Sequence, residues 1–427
     1  MTGRRIALIT EHASPLALLG SVDAGGQNVY VEQLARGLAA LGHRVDVFTR
    51  RDDRAQPDVV DMAEGVRVVH LDAGPSAPVP KDELWPHIPP LAEALRRFTQ
   101  RADARYDVIH GNFWMSGWIA LAMREWSGAP VVELFHALGS LKKRHQGADD
   151  TSPPERIAVE TRVAHEADLV IAPCPSERDE LIDEYGVPEE RIALCPLGVD
   201  TERFRPVARD LARARIGVPR TSKLVVYVGR VLPRKDVRNV VRAIALLRRR
   251  GDAPRLLVVG GETADPDPGR TPEIGELRRL VVEEGVSDLV TFAGKRQPDE
   301  LYLYYGSADV VVTTPHYEPF GLTPLEAMAC ARPVIGAAVG GITYTIRNGD
   351  TGLLVPAKDP RALAVALGWL LARPDEIERM GTAGRARVER DFRWDAVARR
   401  TSEIYDRAIA ERSRAHLHPL EVGGAAR

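Results

Sequence analysis

The chain has 427 residues, and its 58 lysines and arginines nearly balance its 60 aspartates and glutamates, which leaves a formal net charge of −2. This length predicts two or three domains with proper cores, and the balanced charge argues against nucleic acid or an anionic membrane surface as a partner. No run of about 18 apolar residues is present, so we expect no membrane span. The N-terminal segment lacks the pattern of a secretory signal, and we expect a cytoplasmic protein.

The three cysteines, Cys174, Cys195 and Cys330, lie far apart and form no C-x-x-C or Cys/His cluster. Such spacing indicates neither a disulfide framework nor a zinc site. We therefore expect small buried residues in a reducing compartment and no requirement for a metal.

Short β-branched runs alternate with amphipathic stretches along nearly the whole chain, a pattern typical of βαβ units and parallel sheets. In the first half the strand candidates are RIALIT, RVDVFT, VRVVHL, DVIHG, PVVELFH, LVIAP and RIALCPLG. The second half restarts the series with KLVVYVGR, RLLVVGG, LVTFAG, DVVVTTP, PVIGAA and GLLVP. The fold class is therefore α/β, with two Rossmann-like domains that we expect to face each other across a cleft.

A segment with two prolines, a glycine and mixed charge, PLGVDTERFRPVARD, separates the two series and is typical of a linker. We place the first domain at residues 1–202 and the second at residues 203–395. A last helix at about 396–412 is expected to pack back on the first domain, and residues 413–427 are expected to form a flexible tail. Open parallel sheets bind ligands beyond the carboxyl ends of their strands, so the loops there carry the functional predictions.

The loop after the first strand runs from Thr10 to Gly26 and ends in the adjacent glycines Gly25 and Gly26. A dinucleotide-binding turn would need G-x-G-x-x-G in a short loop and an acidic residue about 20 residues further on, so NAD is a poor candidate. Either an ordinary glycine-rich turn or the close approach of a ligand explains the pair.

Two cations follow the first strand of the second domain. Arg230 stands just past the strand, and Lys235 lies in the turn before the next helix. Each alone is typical of a solvated surface. Together, at the carboxyl end of a strand, they indicate a phosphate clamp with a pyrophosphate as its ligand.

The segment HYEPFGLTPLEAMACARPVIG, from residue 316, contains a helix start. Thr323, Pro324 and Glu326 have the spacing of a capping box with proline at the first helical position, so we predict Thr323 as the N-cap. Such a start has unpaired amides and the positive end of the helix dipole, which favour an anion. Glu326 either bonds the Thr323 backbone amide or serves a ligand.

Glu318 stands in the tight loop ahead of this helix. A lone loop carboxylate is more often solvated than functional. Beside the free amides of Phe320, Gly321 and Leu322, however, it is placed to hold several hydroxyls of a sugar, and the spacing to Glu326 favours that interpretation.

These motifs, together with GGQNVYV, resemble those of the retaining glycosyltransferases of the large sucrose-synthase-like family, the glycosyl transferases group 1, which includes sucrose-phosphate synthases and mycothiol glycosyltransferases. The resemblance covers essentially residues 4–412 and implies the two-domain GT-B fold. It implies that Glu318 holds hydroxyls of the transferred sugar and that Glu326 holds the nucleotide ribose. It further implies that Arg230 and Lys235 neutralise the diphosphate leaving group.

The same resemblance implies roles for four further sites. Arg296 lies where the nucleobase is approached, and the Gly25–Gly26 turn faces the donor phosphates. Asn28 lies toward the acceptor, and His136 lies beside the reacting sugar, although a lone histidine at a strand end is more often a packing or capping residue. Retaining transfer in this fold is attributed to front-face attack, which requires no metal here because cations and helix amides supply the positive field.

One position departs from the family pattern. Asp236 follows Lys235 where family members commonly carry glycine. An acid beside the clamp either weakens phosphate binding or points into solvent, and the sequence leaves both alternatives open.

Acceptor recognition is implied for the first domain. Lys81, Lys142 and Arg156 resemble the set that grips phosphate in the enzyme that glycosylates inositol phosphate in the mycothiol pathway, although a basic run is usually a solvated face. Phe113 and Ala137 stand where that enzyme has tyrosine and threonine. Two hydroxyls toward the acceptor are then missing, so we expect a different acceptor, with fructose 6-phosphate or another sugar phosphate as the first candidates.

The leading hypothesis is a retaining hexosyltransferase that uses a nucleotide-diphosphate sugar, with UDP-hexose as the first donor to test, and a small sugar, polyol or sugar-phosphate acceptor. One alternative is a nucleotide-sugar epimerase of similar architecture, for which we can assign no acid/base residues. Another is a two-domain sugar-binding protein without chemistry, a class that is typically exported. No separate cofactor is expected. The sequence does not indicate whether the protein is a monomer or an oligomer.

Overall fold

The computed structural model describes residues 3–17 and 25–417, and the chain divides into two compact units. Residues 18–24 of the glycine loop and residues 418–427 of the predicted tail lie outside the described residues. The first unit contains the chain up to Pro173, the segment Glu177–Pro196 and the chain from Val397 onward. The second unit contains Cys174–Ser176 and Leu197–Ala396.

The first unit is built on one sheet, which has eight strands within the described residues. The strands are Arg5–Ile9 (β1), Arg44–Arg50 (β2), Val59–Ala63 (β3), Val66–Leu71 (β4), Val108–Asn112 (β5), Val131–Leu134 (β6), Leu169–Ala172 (β7) and Ile192–Leu194 (β8). Their order is β3-β4-β2-β1-β5-β6-β7-β8, and only the β3–β4 pair among them is antiparallel. Each run predicted as a strand in this half is a strand, and β3 was missed.

Helices connect these strands. They are Gly26–Ala40 (α1), Ile88–Arg101 (α2), Trp114–Ser127 (α3), Gly139–Gln146 (α4), Arg156–Glu166 (α5) and Pro175–Asp183 (α6). The central strands are buried along their whole length, as β5 and β6 are, because helices cover both faces of a parallel sheet. The carboxyl ends of β1, β5 and β6 therefore lie along the same edge, where the loops with the predicted site residues begin.

The second unit has a six-stranded sheet within the described residues, and all its neighbouring strands are parallel. The strands are Leu224–Val228 (β9), Arg255–Val259 (β10), Val290–Gly294 (β11), Val310–Thr313 (β12), Val334–Ala337 (β13) and Gly352–Val355 (β14), in the order β11-β10-β9-β12-β13-β14. The strand order reverses between β9 and β12, and such a switch point is where open α/β sheets bind ligands. The predicted strands of this half are confirmed.

The helices of the second unit pack on this sheet around a core of valine, leucine and isoleucine. They are Arg209–Ile216 (α7), Val237–Arg249 (α8), Pro272–Glu283 (α9), Leu301–Ser307 (α10), Leu322–Ala329 (α11), Ile342–Thr345 (α12), Pro360–Leu371 (α13) and Pro374–Asp391 (α14). The loops β9–α8 and β12–α11 start from the two strands at the switch point. They carry the phosphate clamp and the Glu318 motif predicted from the sequence.

The last helix, Trp394–Leu417 (α15), contacts strands and loops of the first unit. The Tyr405 hydroxyl lies 2.6 Å from Nδ1 of His110 in β5, and Ser402 Oγ lies 3.0 Å from Nε2 of His43. These polar contacts hold the C-terminal helix on the first unit, which the beginning of the chain forms.

Candidate active site

The two cations of the predicted clamp follow β9 in the second unit. Lys235 ends a short 3₁₀ turn, Pro233–Lys235, and its Nζ forms an ion pair with the Glu318 carboxylate. The Arg230 guanidinium has no hydrogen-bond or ion-pair partner among the described residues. The structure therefore joins Lys235 to Glu318 and leaves Arg230 available beside them.

Asp236 follows the clamp with a backbone φ of +51°, in the left-handed region that glycine adopts at little cost. This conformation explains why glycine suits the position. The Asp236 side chain accepts a 3.3 Å hydrogen bond from the Asn239 amide as the N-cap of α8, and it lies 3.4 Å from Nε2 of His316. It is 8% exposed. The alternative in which the carboxylate points into solvent is therefore wrong, because the carboxylate caps a helix.

The helix after β12 begins earlier than predicted. Gly321 is the N-cap with a φ of +98°, and the first helical residue is Leu322. The prediction of Thr323 as N-cap is wrong because Gly321 makes the left-handed turn two residues before it. Glu326 is consequently the fifth helical residue, too far along the helix to form the capping box.

The turn that leads into α11 presents backbone donors. Within the described part of the chain, the amides of Phe320, Gly321 and Leu322 have no hydrogen-bond acceptor, and Glu318 stands just ahead of them. Unpaired amides at a helix start attract anions and hydroxyl oxygens. The loop thus offers both acceptors and donors to a polar ligand.

Glu326 lies behind this turn. Its Oε2 accepts a 2.6 Å hydrogen bond from the hydroxyl of Tyr305 in α10. Burial raises the pKa of Glu326 to about 7, although the Tyr305 hydroxyl and the charge of Arg203 act in the opposite direction. The Tyr305 hydroxyl contacts one of the two carboxyl oxygens, and a contact between Glu326 and ribose hydroxyls remains a prediction.

Sequence reasoning missed a second glycine pair, Gly340 and Gly341, which follows β13. A Cβ on Gly340 would lie 2.2 Å from the Glu318 carbonyl oxygen, and one on Gly341 would lie 2.4 Å from the Cα of Phe320. The Gly341 amide also donates a 3.0 Å hydrogen bond to the Glu318 carbonyl. These glycines therefore fix the Glu318 loop, and their place after a strand was the available signal.

Two residues predicted at the donor use their side chains within the second unit. Arg296 donates to the Tyr304 hydroxyl at 2.6 Å and to the Ala264 carbonyl at 3.1 Å. The Phe320 ring is buried against Phe392, with ring centroids 6.3 Å apart. A nucleobase contact by Arg296 and ligand contacts by Phe320 therefore remain predictions, and for Phe320 only the backbone is free to make them.

His136 follows β6 in the first unit with a φ of +58°, and the Ala137 amide donates to the Phe135 carbonyl at 2.7 Å across it. A non-glycine residue in this conformation is strained, and such strain clusters at functional sites. His136 Nε2 lies 3.2 Å from Asn112 Oδ1, and its ring packs edge-on to Tyr30. Burial, with neighbouring imidazoles, lowers the pKa of His136 to about 3, so the ring is neutral at physiological pH.

Asn28 fixes the end of the glycine loop. Its Oδ1 accepts a 2.9 Å hydrogen bond from the Gly25 amide, and its Nδ2 donates one of 2.9 Å to the Ser14 carbonyl. Gly25 is extended, with a φ of −158°, and a Cβ there would meet no described atom within 4 Å. Neither backbone conformation nor the described packing requires glycine at 25, so a ligand-based reason for it and for Gly26, the first residue of α1, remains a prediction.

The three predicted acceptor cations form one connected cluster. Lys81 Nζ and Lys142 Nζ both approach the Asp82 carboxylate, at 3.0 and 3.4 Å. Lys142 Nζ and Arg156 Nη1 both donate to Ser152 Oγ, at 2.9 and 3.2 Å. The structure therefore brings Lys81, Lys142 and Arg156 together through shared partners.

Carboxylates that the sequence reasoning did not consider balance this cluster. Lys142 also pairs with Asp150 at 3.0 Å. Although burial acts to raise it, hydrogen bonds from Thr151 and Lys81 and the charge of Lys142 lower the pKa of Asp82 to about 2. Any anion that binds here must compete with an ionised Asp82.

Arg156 is 3% exposed and holds the loop after His136. It forms an ion pair with Glu160 at 2.8 Å and donates to the Ala137 carbonyl at 2.6 Å. Its guanidinium carbon lies 5.1 Å from the centroid of the Phe113 ring. Direct phosphate binding by Arg156 remains a prediction, and these contacts give the residue a positioning role as well.

No group of three or more histidine, cysteine, aspartate or glutamate residues in the described ranges is placed to hold a metal ion. The cysteines are buried, as predicted. None of the helices in the described part of the chain is both long and apolar enough to cross a membrane.

Solved structures share this architecture along nearly the whole chain. The chain is 37% identical to sucrose-phosphate synthase from Thermosynechococcus elongatus, with a TM-score of 0.85 over 96% of this chain and 100% of that one. HepE from Anabaena, solved in complex with UDP-glucose, has the same fold at 19% identity, with a TM-score of 0.71 over 95% of this chain and 100% of that one. The fold is therefore the GT-B fold of glycosyltransferases, as the resemblance implied.

Family models identify both halves of the chain. Residues 24–203 match Glycosyltransferase Family 4, and residues 208–387 match Glycosyl transferases group 1. The chain is also 40% identical to a D-inositol 3-phosphate glycosyltransferase from Acidothermus cellulolyticus, over 98% of this chain and 94% of that protein. The chain belongs to the glycosyl transferases group 1 and is a glycosyltransferase, which decides against the epimerase and the binding protein.

Proposed function

We propose that the chain moves a hexose from a UDP-hexose to a small phosphorylated sugar, with retention at the anomeric carbon. One observation carries the donor half of this proposal: Arg230, free of partners among the described residues, stands beside the Lys235–Glu318 pair and the unpaired amides that follow Glu318. A lysine ammonium has three donors, and Glu318 uses one. Lys235 therefore retains donors for phosphate oxygens, while Arg230 offers a planar fork.

In this proposal the second unit stabilises the leaving group. As the bond between the anomeric carbon and the diphosphate oxygen breaks, negative charge grows on that oxygen, and Arg230, Lys235 and the loop amides lie ready to stabilise it. The acceptor hydroxyl attacks from the same face, and its proton passes to a departing phosphate oxygen. Glu318 holds hydroxyls of the transferred sugar, and Glu326 holds those of the ribose.

The first unit positions the acceptor in this proposal. The neutral His136 imidazole neither repels nor attracts charge, and its ring nitrogens are suited to orient a hydroxyl. The Lys81–Lys142–Arg156 cluster offers charge-assisted hydrogen bonds to a phosphate, which takes the place of Asp82.

The acceptor is the part of the proposal on which relatives differ. The curated relative is named for D-inositol 3-phosphate and the solved neighbour for sucrose phosphate. In this chain the Phe113 ring packs against the guanidinium of Arg156, and Ala137 contributes its backbone carbonyl to the cluster. Neither the Phe113 nor the Ala137 side chain offers a hydroxyl to an acceptor. We therefore favour a sugar phosphate such as fructose 6-phosphate over inositol phosphate.

The test compares fructose 6-phosphate with fructose, and inositol phosphate with inositol, using UDP-glucose as donor. Wild type should have the lower KM for the phosphorylated member of the preferred pair. Lys142→Gln should raise that KM about tenfold or more, the usual cost of losing a charged hydrogen bond, and should leave the KM of the neutral sugar nearly unchanged. Arg156→Ala is the harsher variant, because it also releases the Ala137 carbonyl.

Lys143→Gln is the matched control, since Lys143 is the exposed neighbour of Lys142 on α4. It should leave every KM unchanged. If wild type prefers the neutral sugar, the three cations serve only their ion pairs with Asp82, Asp150 and Glu160, and a free sugar is the acceptor. If inositol phosphate is the best acceptor, the choice based on Phe113 and Ala137 is wrong.

A further inference from the structure

A cavity of about 270 Å³ opens in the second unit between the start of α8 and the segment that leads into α13. This volume is near the lower end of the range for small-molecule sites, about 300 to 1,000 Å³. The residues that line it are Asp236, Asn239, Arg242, His316, Lys358 and Pro360. None of them is a residue proposed to contact donor or acceptor.

Asn239 is a buried lining residue of this cavity whose side-chain amide lacks hydrogen-bond partners among the described residues. The residue is 2% exposed, and neither its Nδ2 nor its Oδ1 has a hydrogen-bond partner within residues 3–17 and 25–417. A buried amide costs free energy unless its donor and acceptor are satisfied. A ligand with both an acceptor oxygen and a hydroxyl would satisfy both ends of this side chain.

Two positively charged side chains also line the cavity. Arg242 and Lys358 line it and are exposed, and neither forms an ion pair with a described residue. His316 lies 3.4 Å from the Asp236 carboxylate, which is already engaged as the N-cap of α8. The two unpaired cations therefore outweigh the one acid.

The cavity is separate from the donor clamp, although the two are adjacent in sequence. Lys235 is bonded to Glu318, whereas Asp236 turns to Asn239 and His316 because its backbone is left-handed. The reversal between residues 235 and 236 gives the loop two sides with different partners.

We propose that this cavity is a second binding site, for a small molecule that carries a phosphate group. Arg242 and Lys358 bind the phosphate, and the Asn239 amide donates to a phosphate oxygen and accepts from a hydroxyl. The inference rests on the cavity alone and holds whatever the transferase acceptor is.

The test is calorimetric titration of the full chain with inorganic phosphate, in saturating UDP so that the donor clamp is occupied, and with potassium chloride at matched ionic strength as the blank. Wild type should bind phosphate above the blank. The exposed double variant Arg242→Gln/Lys358→Gln should weaken that binding about tenfold or more. The control Arg249→Gln changes another exposed arginine of α8, paired with Glu284, and should bind as wild type does.

Wild type, the double variant and Arg249→Gln share any phosphate sites outside the cavity, including the acceptor cluster. The difference in binding between these proteins therefore measures binding in the cavity. No binding by wild type, equal binding by wild type and the double variant, or an equal loss in Arg249→Gln would each overturn the proposal. Glycerol phosphate should bind more tightly than inorganic phosphate, because its alcohol hydroxyls can reach Asn239 while its phosphate group contacts Arg242 and Lys358. The opposite order would contradict the role of the Asn239 amide.

Discussion

Replacing Glu326 by glutamine is expected both to stabilise the fold and to weaken binding of the nucleotide-sugar donor. Burial raises the pKa of this carboxyl from 4.5 to about 7. One pKa unit corresponds to about 1.4 kcal/mol, so ionising the carboxyl costs the native state up to about 3.5 kcal/mol at high pH. The native state binds the proton more tightly than the unfolded chain does, so wild-type stability falls as pH rises from about 4.5 through about 7.

Glu326→Gln has no proton to lose, and its amide oxygen still accepts from the Tyr305 hydroxyl. Since the Glu326 residue as a whole is only partly buried, solvent screens the charge, and we expect a gain of about 1 to 2 kcal/mol at pH 8.5 rather than the full amount. At pH 5 most of this difference should vanish. The same substitution should raise the Kd for UDP about tenfold, because glutamine is a weaker acceptor for ribose hydroxyls than a carboxylate.

The assay is urea unfolding at pH 5 and pH 8.5 together with calorimetric UDP binding. Glu378→Gln, an exposed carboxylate on α14, is the matched control and should change neither quantity. A Glu326→Gln variant that is less stable than wild type at pH 8.5 and binds UDP normally would refute the argument and leave the residue a structural role alone.

Substitutions at three further positions test the second unit. Saturation with UDP at about 100 times its Kd should stabilise wild type by about 2.7 kcal/mol, and Arg230→Ala should lose most of that gain at the same concentration; equal melting shifts would mean that no clamp exists. Glu318→Gln should lower turnover about 10²- to 10³-fold with UDP affinity nearly intact, whereas an equal loss of both would reduce Glu318 to a support for Lys235. The free energy of unfolding of Asp236→Gly should be within about 1 kcal/mol of the wild-type value, because glycine suits the left-handed backbone. Asp236→Ala should lower the free energy of unfolding by about 1 to 2 kcal/mol. Equal losses for the two variants in urea unfolding would contradict the role of Asp236 as a helix cap.

The fold was predictable because buried parallel strands are continuous apolar runs. The β9 run, for example, is buried at every residue. The β3 strand was missed because it is partly exposed and pairs antiparallel at the sheet edge. It therefore has no continuous buried run and belongs to no βαβ unit. Residue type alone does not reveal a strand whose side chains stay in solvent.

The site was predictable where neighbours in sequence are also neighbours in space. The clamp cations and the amides after Glu318 are of this kind. The pairing of Glu326 with Tyr305, and of Lys142 with Asp82, joins residues on different elements, and no local pattern contains it. The early start of α11 was missed because the left-handed Gly321 overrode the capping preference of the residues that follow.

Whether the hexose is transferred with retention is decided by the stereochemistry of the product. Proton NMR of the reaction of UDP-glucose, which is α-linked, with fructose 6-phosphate would read the configuration of the new bond from the anomeric coupling constant. Retention predicts an α-linked product, and the role proposed for Glu318 predicts that this product is lost in Glu318→Gln. A β-linked product, or transfer that survives Glu318→Gln at the wild-type rate, would contradict it.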